Sequence, residues 1–272
     1  MAVTVLLAGC AARQAMAQQQ TAQQLRVQVL ATLPHDISMY TEGLEIHDGV
    51  LYESSGLVGQ SRVRATVLPT GLSTGAPVRE VTLPAPLFGE GLTVTDARLW
   101  QLTWTSGVAI ERDPVTLARR RAVTYQGEGW GLCHDGHRLV MSDGSDRLTF
   151  RDPVTFAPSG QLAVRLDGEP VWALNELECA GGVIWANVFQ SDRILRIDPA
   201  TGVVTGVVDA SGLLSTQPRS SEDVLNGIAA IPGTDEFLIT GKHWPTLFRV
   251  RFVRSMKGVT TVHGAAASRW RR

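Results

Sequence analysis

Carboxylate and amide side chains recur at one place in a repeated motif of this sequence. Glu42 and Glu90 each stand directly before a Gly-Leu pair, and Asn175 and Asn226 stand at the matching places of later copies. Lys242 follows an apolar run near the end of the chain. A glutamate among apolar side chains has a raised pKa and can move a proton near neutral pH. Amide and ammonium groups beside it suit a developing negative charge.

Aromatic residues occupy neighbouring positions. Tyr40 and Phe88 lie two residues before the two glutamates, Trp130 precedes another Gly-Leu pair, and Trp104 ends an apolar run. Polar groups among aromatic rings would hold a polar ligand that carries an amine. The alternative is structural: Glu128 and Asn226 would satisfy backbone groups, and the glycines would only permit close strand packing.

The repeat predicts the elements that position these residues. A Gly-Leu, Glu-Leu or Gly-Ile pair, then a polar turn and a second apolar run, begins at positions 43, 91, 131, 176 and 227, at spacings of 40 to 51 residues. Repeats of this length with several short strands are typical of β-propellers. The sequence therefore predicts an all-β, five-bladed β-propeller with four-stranded blades. Residues at the starts of its inner strands would meet at one mouth of a central channel.

The repeats predict a propeller domain over residues 25–254. We expect the segment 25–30 to pair with the last blade and close the ring, which leaves no free sheet edge. Residues 255–272 fit no blade and are predicted to be a C-terminal tail.

Residues 1–24 are predicted to be an export leader and linker. Leu7-Ala8-Gly9-Cys10 has the form of a bacterial lipobox, whose cysteine would carry a lipid, whereas Ala15-Met16-Ala17 fits an ordinary cleavage site. No basic residue precedes Cys10, so we expect the true start upstream; the alternative is a disordered tail with a chance cysteine. We expect a protein that is exported, either periplasmic or lipid-anchored to the bacterial cell envelope.

The composition narrows the function classes. Lys and Arg number 25 against 26 Asp and Glu, so no basic excess exists for binding nucleic acid. The six histidines show no metal-ligand spacing, and neither a metal nor a cofactor is expected. Cys133 and Cys179 fall at nearly equivalent points of adjacent repeats, so they either form a disulfide or remain two buried thiols. Nothing indicates more than a monomer.

Together these motifs resemble the glutaminyl-peptide cyclotransferases of the plant and bacterial type, a family of five-bladed propellers. The resemblance covers residues 35–245 and rests on segments such as Phe88-Gly89-Glu90-Gly91-Leu92-Thr93, Leu174-Asn175-Glu176-Leu177-Glu178 and Thr240-Gly241-Lys242-His243-Trp244-Pro245. It implies an enzyme that converts the N-terminal glutamine of peptides to pyroglutamate and releases ammonia, without a metal.

The resemblance also implies roles for single residues. Glu90 would be the catalytic acid/base, and Asn175 and Lys242 would hold the substrate amide and the developing oxyanion. The substrate-binding residues would be Tyr40, Glu42, Phe88, Trp104, Trp130 and Phe189.

Two of these positions depart from the family's usual pattern. Glu42 stands where the family commonly has glutamine, and could bind the substrate's α-amine or accept a second proton. Phe189 stands where it commonly has tryptophan, which keeps an aromatic wall without an indole N–H.

Two other functions fit the sequence less well. A lactonase-like hydrolase would bind a metal through the oxygens of Glu42, Glu90, Asn175 and Asn226, but Lys242 would repel that metal. A non-catalytic exported propeller would bind peptides in the same channel.

Overall fold

The computed structural model describes residues 21–68, 77–95, 97–214 and 220–255. These residues form β-strands joined by turns and contain no helix, which confirms the all-β prediction. A helix able to cross a bilayer is accordingly absent from these ranges. The predicted lipobox and the C-terminal tail beyond residue 255 lie outside the described residues.

Three groups of four strands form separate antiparallel sheets. The first contains β2 (Thr41–His47), β3 (Val50–Ser55), β4 (Arg62–Val67) and β5 (Arg79–Thr82); the second contains β6 (Gly89–Thr95), β7 (Arg98–Thr103), β8 (Val108–Arg112) and β9 (Arg119–Thr124). The third contains β10 (Leu132–His134), β11 (Leu139–Met141), β12 (Arg147–Arg151) and β13 (Pro158–Ala163). A short hairpin, β14 (Arg165–Leu166) and β15 (Glu169–Pro170), follows the third sheet.

The other strands belong to one eight-stranded sheet rather than to two separate sheets. They are β1 (Gln23–Pro34), β16 (Leu174–Ala180), β17 (Val183–Val188), β18 (Arg193–Ile197), β19 (Val204–Asp209), β20 (Leu225–Ala230), β21 (Glu236–Gly241) and β22 (Thr246–Arg254). The N-terminal strand β1 pairs antiparallel with β22, as expected for the segment 25–30, and its start also pairs in parallel with β19. This parallel pairing, which periodicity does not predict, joins the last two groups of strands.

Each of the five repeats begins with one strand, which we call its first strand. These first strands contact one another in a closed cycle, in the order β2, β6, β10, β16 and β20. Glycines allow their backbones to approach closely. A Cβ atom on Gly43 would lie 2.6 Å from the nitrogen of Leu92, and one on Gly131 would lie 2.1 Å from the carbonyl oxygen of Asn175. Both separations are shorter than any real Cβ contact, so no side chain fits there.

Buried carboxyl groups also connect these first strands. Glu176 of β16 accepts hydrogen bonds from the backbone N–H of Leu44 in β2 (3.3 Å) and of Ile228 in β20 (2.9 Å). Glu45 of β2 accepts one from Val94 in β6 (3.0 Å). Burial raises the pKa of both carboxyls, that of Glu45 to about 7.

Five apolar clusters fill the spaces between neighbouring groups of strands. Trp100, for example, is fully buried between the second and third sheets. Cys133 of β10 and Cys179 of β16 form a disulfide with a Cα–Cα distance of 5.4 Å, which decides between the two arrangements left open by the sequence. This bond covalently links the third sheet to the eight-stranded sheet.

Replacing Gly131 by alanine should destabilise the fold by about 1–3 kcal/mol, because the new methyl group meets backbone rather than a side chain that can rotate away. Gly160 is the control, since a Cβ there would lie 3.5 Å from a ring carbon of Phe150, an ordinary contact. Urea unfolding of both variants measures the difference. Equal midpoints would contradict the close approach of the first strands.

Candidate active site

A cavity of about 420 Å³ opens at the edge where the first strands begin. All nine side chains predicted to form the site line this cavity: Tyr40, Glu42, Phe88, Glu90, Trp104, Trp130, Asn175, Phe189 and Lys242. They come from all five repeats of the sequence. Four of the five positions directly before the repeated pairs, those of Glu42, Glu90, Trp130 and Asn175, therefore converge at the cavity, and the fifth, Asn226, bonds to Glu42.

Antiparallel pairing explains why distant residues meet here. A first strand begins at the same edge at which the second strand of its group ends. Trp130 precedes β10, whereas Trp104, Phe189 and Lys242 directly follow β7, β17 and β21. The same rule predicts that Leu57, just beyond β3, lines the cavity, which it does although the motif reading missed it.

Two further lining residues were missed. Gln190 follows Phe189 and lies in the left-handed region, with φ of 58°, so its side chain is presented by a tight turn. Glu222 is an exposed residue of the segment before β20, and no repeated motif marks it. It adds a carboxylate to the rim of the cavity.

Glu42 is held by a lysine and an amide. Its Oε1 atom lies 2.7 Å from the ammonium nitrogen of Lys242, and its Oε2 atom accepts a 2.9 Å hydrogen bond from the Asn226 amide. The Asn226 amide also donates to the carbonyl oxygen of Thr41, so it does satisfy a backbone group. Burial raises the pKa of Glu42 to about 7, although Lys242 opposes that shift.

Lys242 is enclosed by two aromatic rings as well. Its nitrogen lies 4.4 Å from the centre of the Tyr40 ring and 5.3 Å from that of Phe189, within the range of cation–π attraction. Burial alone would lower the pKa of Lys242, but the charges of Glu42 and Glu90 raise it above its usual value. The site therefore contains a buried, protonated ammonium group.

Glu90 is buried in the same cavity, and its Oε2 atom has no hydrogen-bond partner. Burial raises the pKa of this carboxyl well above its ordinary value, and the negative charge of Glu42 raises it further. The Oδ1 atom of Asn175 is likewise buried without a partner. Two acceptors without partners lie in one cavity, so a ligand with N–H donors would satisfy both.

The aromatic walls of the cavity form two series of ring contacts. Tyr40 packs edge-on against Phe88, Phe88 against Trp104, and Trp130 against Phe189, with ring centres 5.6–6.1 Å apart. These contacts surround a ligand with rigid apolar surface.

Glu128 links the two halves of this wall. Its Oε2 atom accepts hydrogen bonds from the indole N–H of Trp104 (2.7 Å) and of Trp130 (2.9 Å). These partners are side chains, whereas the structural alternative for Glu128 was bonding to backbone groups. Trp104 is 41% exposed, so this hydrogen bond restrains a ring that packing alone would leave free to rotate.

The fold and the cavity together define a class of protein. It is an all-β protein whose repeats build one cavity with a high-pKa carboxyl, an ammonium group and an amide, which are groups suited to proton transfer. Within the described ranges, no cluster of three or more His, Cys, Asp or Glu side chains could hold a metal ion. Lys242 occupies the position beside Glu42 that a metal would need.

Comparison with known proteins identifies the family. The family model for glutamine cyclotransferase matches residues 1–252. A glutaminyl-peptide cyclotransferase of Arabidopsis thaliana is 38% identical over 232 residues, which is 83% of this chain and 71% of that protein. The crystal structure of Myxococcus xanthus glutaminyl cyclase superposes with a TM-score of 0.80 at 42% identity, over 86% of this chain and 99% of that one. The chain belongs to the glutamine cyclotransferase family.

Replacing Lys242 by methionine should destabilise the protein by about 3–5 kcal/mol at pH 8, because Glu42 would be left as a buried charge without a cation. The folded-state pKa of Glu42 is raised, so this penalty should shrink as the pH falls toward 5 and the carboxyl becomes neutral. Urea unfolding at both pH values measures it. The double variant Glu42→Gln/Lys242→Met should recover most of the loss; equal stability of wild type and Lys242→Met at pH 8 would contradict the pairing.

Proposed function

We propose that this protein is a glutaminyl-peptide cyclotransferase that cyclises the N-terminal glutamine of peptides to pyroglutamate and releases ammonia. Membership of the family supports this reaction, and so does one observation in the cavity. Glu90, a buried carboxyl with a free acceptor atom, shares the cavity with Asn175 and with the Lys242 ammonium. These are the groups that the reaction requires.

The proposal includes the five-bladed propeller. Five first strands contact one another in a cycle, and an apolar cluster lies between each pair of neighbouring strand groups. In this view the eight-stranded sheet is two blades joined through β1, which completes the fifth blade beside β22. A propeller explains why one residue from each repeat reaches the same cavity.

The chemistry needs no covalent enzyme nucleophile. The α-amine and the γ-carboxamide of glutamine belong to one molecule, so closure of a five-membered ring benefits from proximity. Two tasks are left to the protein: the leaving NH₂ group needs a proton, and the carbonyl oxygen needs stabilisation as it becomes negative. Glu90 as the acid/base performs the first task, and Lys242 and Asn175 perform the second.

The remaining lining residues bind the substrate in this proposal. Phe88, Trp104, Trp130 and Phe189 enclose the glutamine side chain, and Tyr40 and Glu42 lie beside its α-amine. The low polarity of the walls strengthens each electrostatic interaction inside. The rest of the peptide would leave through the open side of the cavity.

Export to the cell envelope is a further part of the proposal. The disulfide between Cys133 and Cys179 supports an oxidising compartment, because such bonds are rare in the cytosol. A lipid on Cys10 would provide the membrane contact, and monomeric protein would act on peptides with an N-terminal glutamine.

Glu90→Gln tests the function. The variant should keep its fold, because glutamine matches glutamate in size, but kcat should fall by about 10²–10⁴ since general acid catalysis is lost. Ammonia released from a dipeptide that begins with glutamine is the measurement, with the exposed Glu169→Gln as the control that keeps wild-type activity. A chelator should have no effect on the wild type.

Each other result points to a different function. Activity on a lactone that is lost with a chelator would support the metal-dependent hydrolase. Tight peptide binding without ammonia, equal in wild type and Glu90→Gln, would support the non-catalytic binder.

A further inference from the structure

Two carboxyl groups lie side by side in this cavity, and the reaction described above uses only one. Glu42 and Glu90 occupy the same place in two adjacent first strands, each directly before the glycine at which β2 and β6 come closest. The negative charge of Glu42 raises the pKa of Glu90, so the two carboxyls lie close enough to interact electrostatically. Both are buried.

The two carboxyls differ in their partners. Both oxygens of Glu42 face donors, the ammonium of Lys242 and the amide of Asn226, which favours the ionised form. Glu90 has a buried oxygen without a partner, which favours the protonated form. Neighbouring carboxyls in such unequal surroundings can perform opposite tasks, one as a base and one as an acid.

We propose that Glu42 is a second catalytic residue, the base that takes a proton from the α-ammonium group of the substrate, so that this enzyme uses the protonated N-terminus. The inference rests on the proposed function and adds the ionic form of the substrate. The charge of the cavity agrees with it. With Glu90 protonated, the carboxylates of Glu42 and Glu222 among the lining residues still outnumber the one lining cation, Lys242. A cationic ligand is therefore favoured.

The protons and bonds balance. The α-ammonium group gives one proton to the Glu42 carboxylate, and the neutral amine attacks the γ-carboxamide carbon, forming the ring C–N bond. Glu90 gives its proton to the leaving nitrogen as the old C–N bond breaks, and receives one from the ring nitrogen. The ammonia formed takes the proton from Glu42 and departs as ammonium. Both carboxyls return to their starting states.

Other titratable groups surround Glu42 and influence the pH dependence. Glu90 faces it from β6, Lys242 from the end of β21, and Tyr40 from the segment before β2. The negative charge of Glu222 raises the pKa of Tyr40, and that of Glu128 raises the pKa of Glu90. The pKa of Glu42, about 7, lies below that of a peptide α-amine, about 7.7–8.0.

The proposal predicts a bell-shaped profile of kcat/KM for the wild type. Activity rises as Glu42 ionises and falls as the substrate loses its ammonium proton. The ratio of kcat/KM at pH 8.5 to that at pH 6.5 should be near one. An enzyme that uses only the neutral amine would instead show a ratio of about 20, from the fraction of neutral amine at the two pH values.

Glu42→Gln should change the pH dependence of kcat/KM from the bell-shaped profile to that of an enzyme that uses only the neutral amine. This variant can use only the neutral amine, so its ratio should rise to about 20. Glu42→Asp retains a carboxylate and should keep a ratio near one. Glu222→Gln removes a negative charge from the same cavity and should leave the ratio unchanged. Ammonia release from a glutamine-leading dipeptide by the full chain is the measurement, with thermal unfolding at each pH as a check of folding.

Several results would overturn the inference. A kcat/KM ratio of about 20 for the wild type would overturn the inference without any variant. A folded Glu42→Gln protein with a ratio near one would also overturn it. Loss of activity in that variant at every pH would assign Glu42 to anchoring Lys242 instead. Absence of ammonia from the wild type at all pH values is a different failure, because it refutes the cyclotransferase function itself.

Discussion

The close approach of five backbones at the centre of the molecule is the constraint on which the rest of the structure depends. Where Gly91 lies, a Cβ atom would stand 2.5 Å from the carbonyl oxygen of Trp130, and the amide of Gly91 donates a 2.7 Å hydrogen bond to that oxygen. Strands packed this tightly leave no room for side chains at the glycines. The residues just before them are therefore directed together at one end, where the cavity opens. A small cavity with five converging positions follows from the packing, whatever side chains the repeats supply.

The same close packing of the strands explains why several carboxyl groups are buried. Carboxyl groups are costly to bury unless they receive hydrogen bonds. Glu176 receives two from the backbone N–H groups of neighbouring strands. Glu42 receives its bonds from side chains instead, and Glu90 keeps one oxygen without a partner. The carboxyl of Glu176 thus connects strands, whereas that of Glu90 keeps an oxygen free for a ligand.

Much of this site could be predicted from the repeated motif, because position in the repeat determines position at the channel. That rule placed Glu90 and Asn175 correctly in the cavity, and pairing of adjacent strands placed Lys242 there. Position in the repeat does not predict contacts that depend on the direction of a side chain. The pairing of Lys242 with Glu42, and the two indoles bound to Glu128, depend on how side chains from different repeats point across the cavity. The β1–β19 pairing was also missed, since it lies outside the repeat. Glu222 carries no motif because an exposed segment is not constrained by packing.

The division of tasks between two carboxyls follows from what the substrate brings to the site. A glutamine side chain can reach its own α-amine, so the protein needs neither to hold a second reactant nor to form a covalent intermediate. Its main obstacle near neutral pH is that the α-amine is largely protonated and cannot attack. A single carboxyl must either wait for the neutral amine or serve as both base and acid. In the proposed mechanism Lys242 favours the ionised form of Glu42, and burial and the charge of Glu42 favour the protonated form of Glu90, so one carboxyl can accept a proton and the other can donate one. In the proposed mechanism the lysine that favours the ionised form of Glu42 also stabilises the oxyanion, so one buried ion pair would support both ends of the reaction.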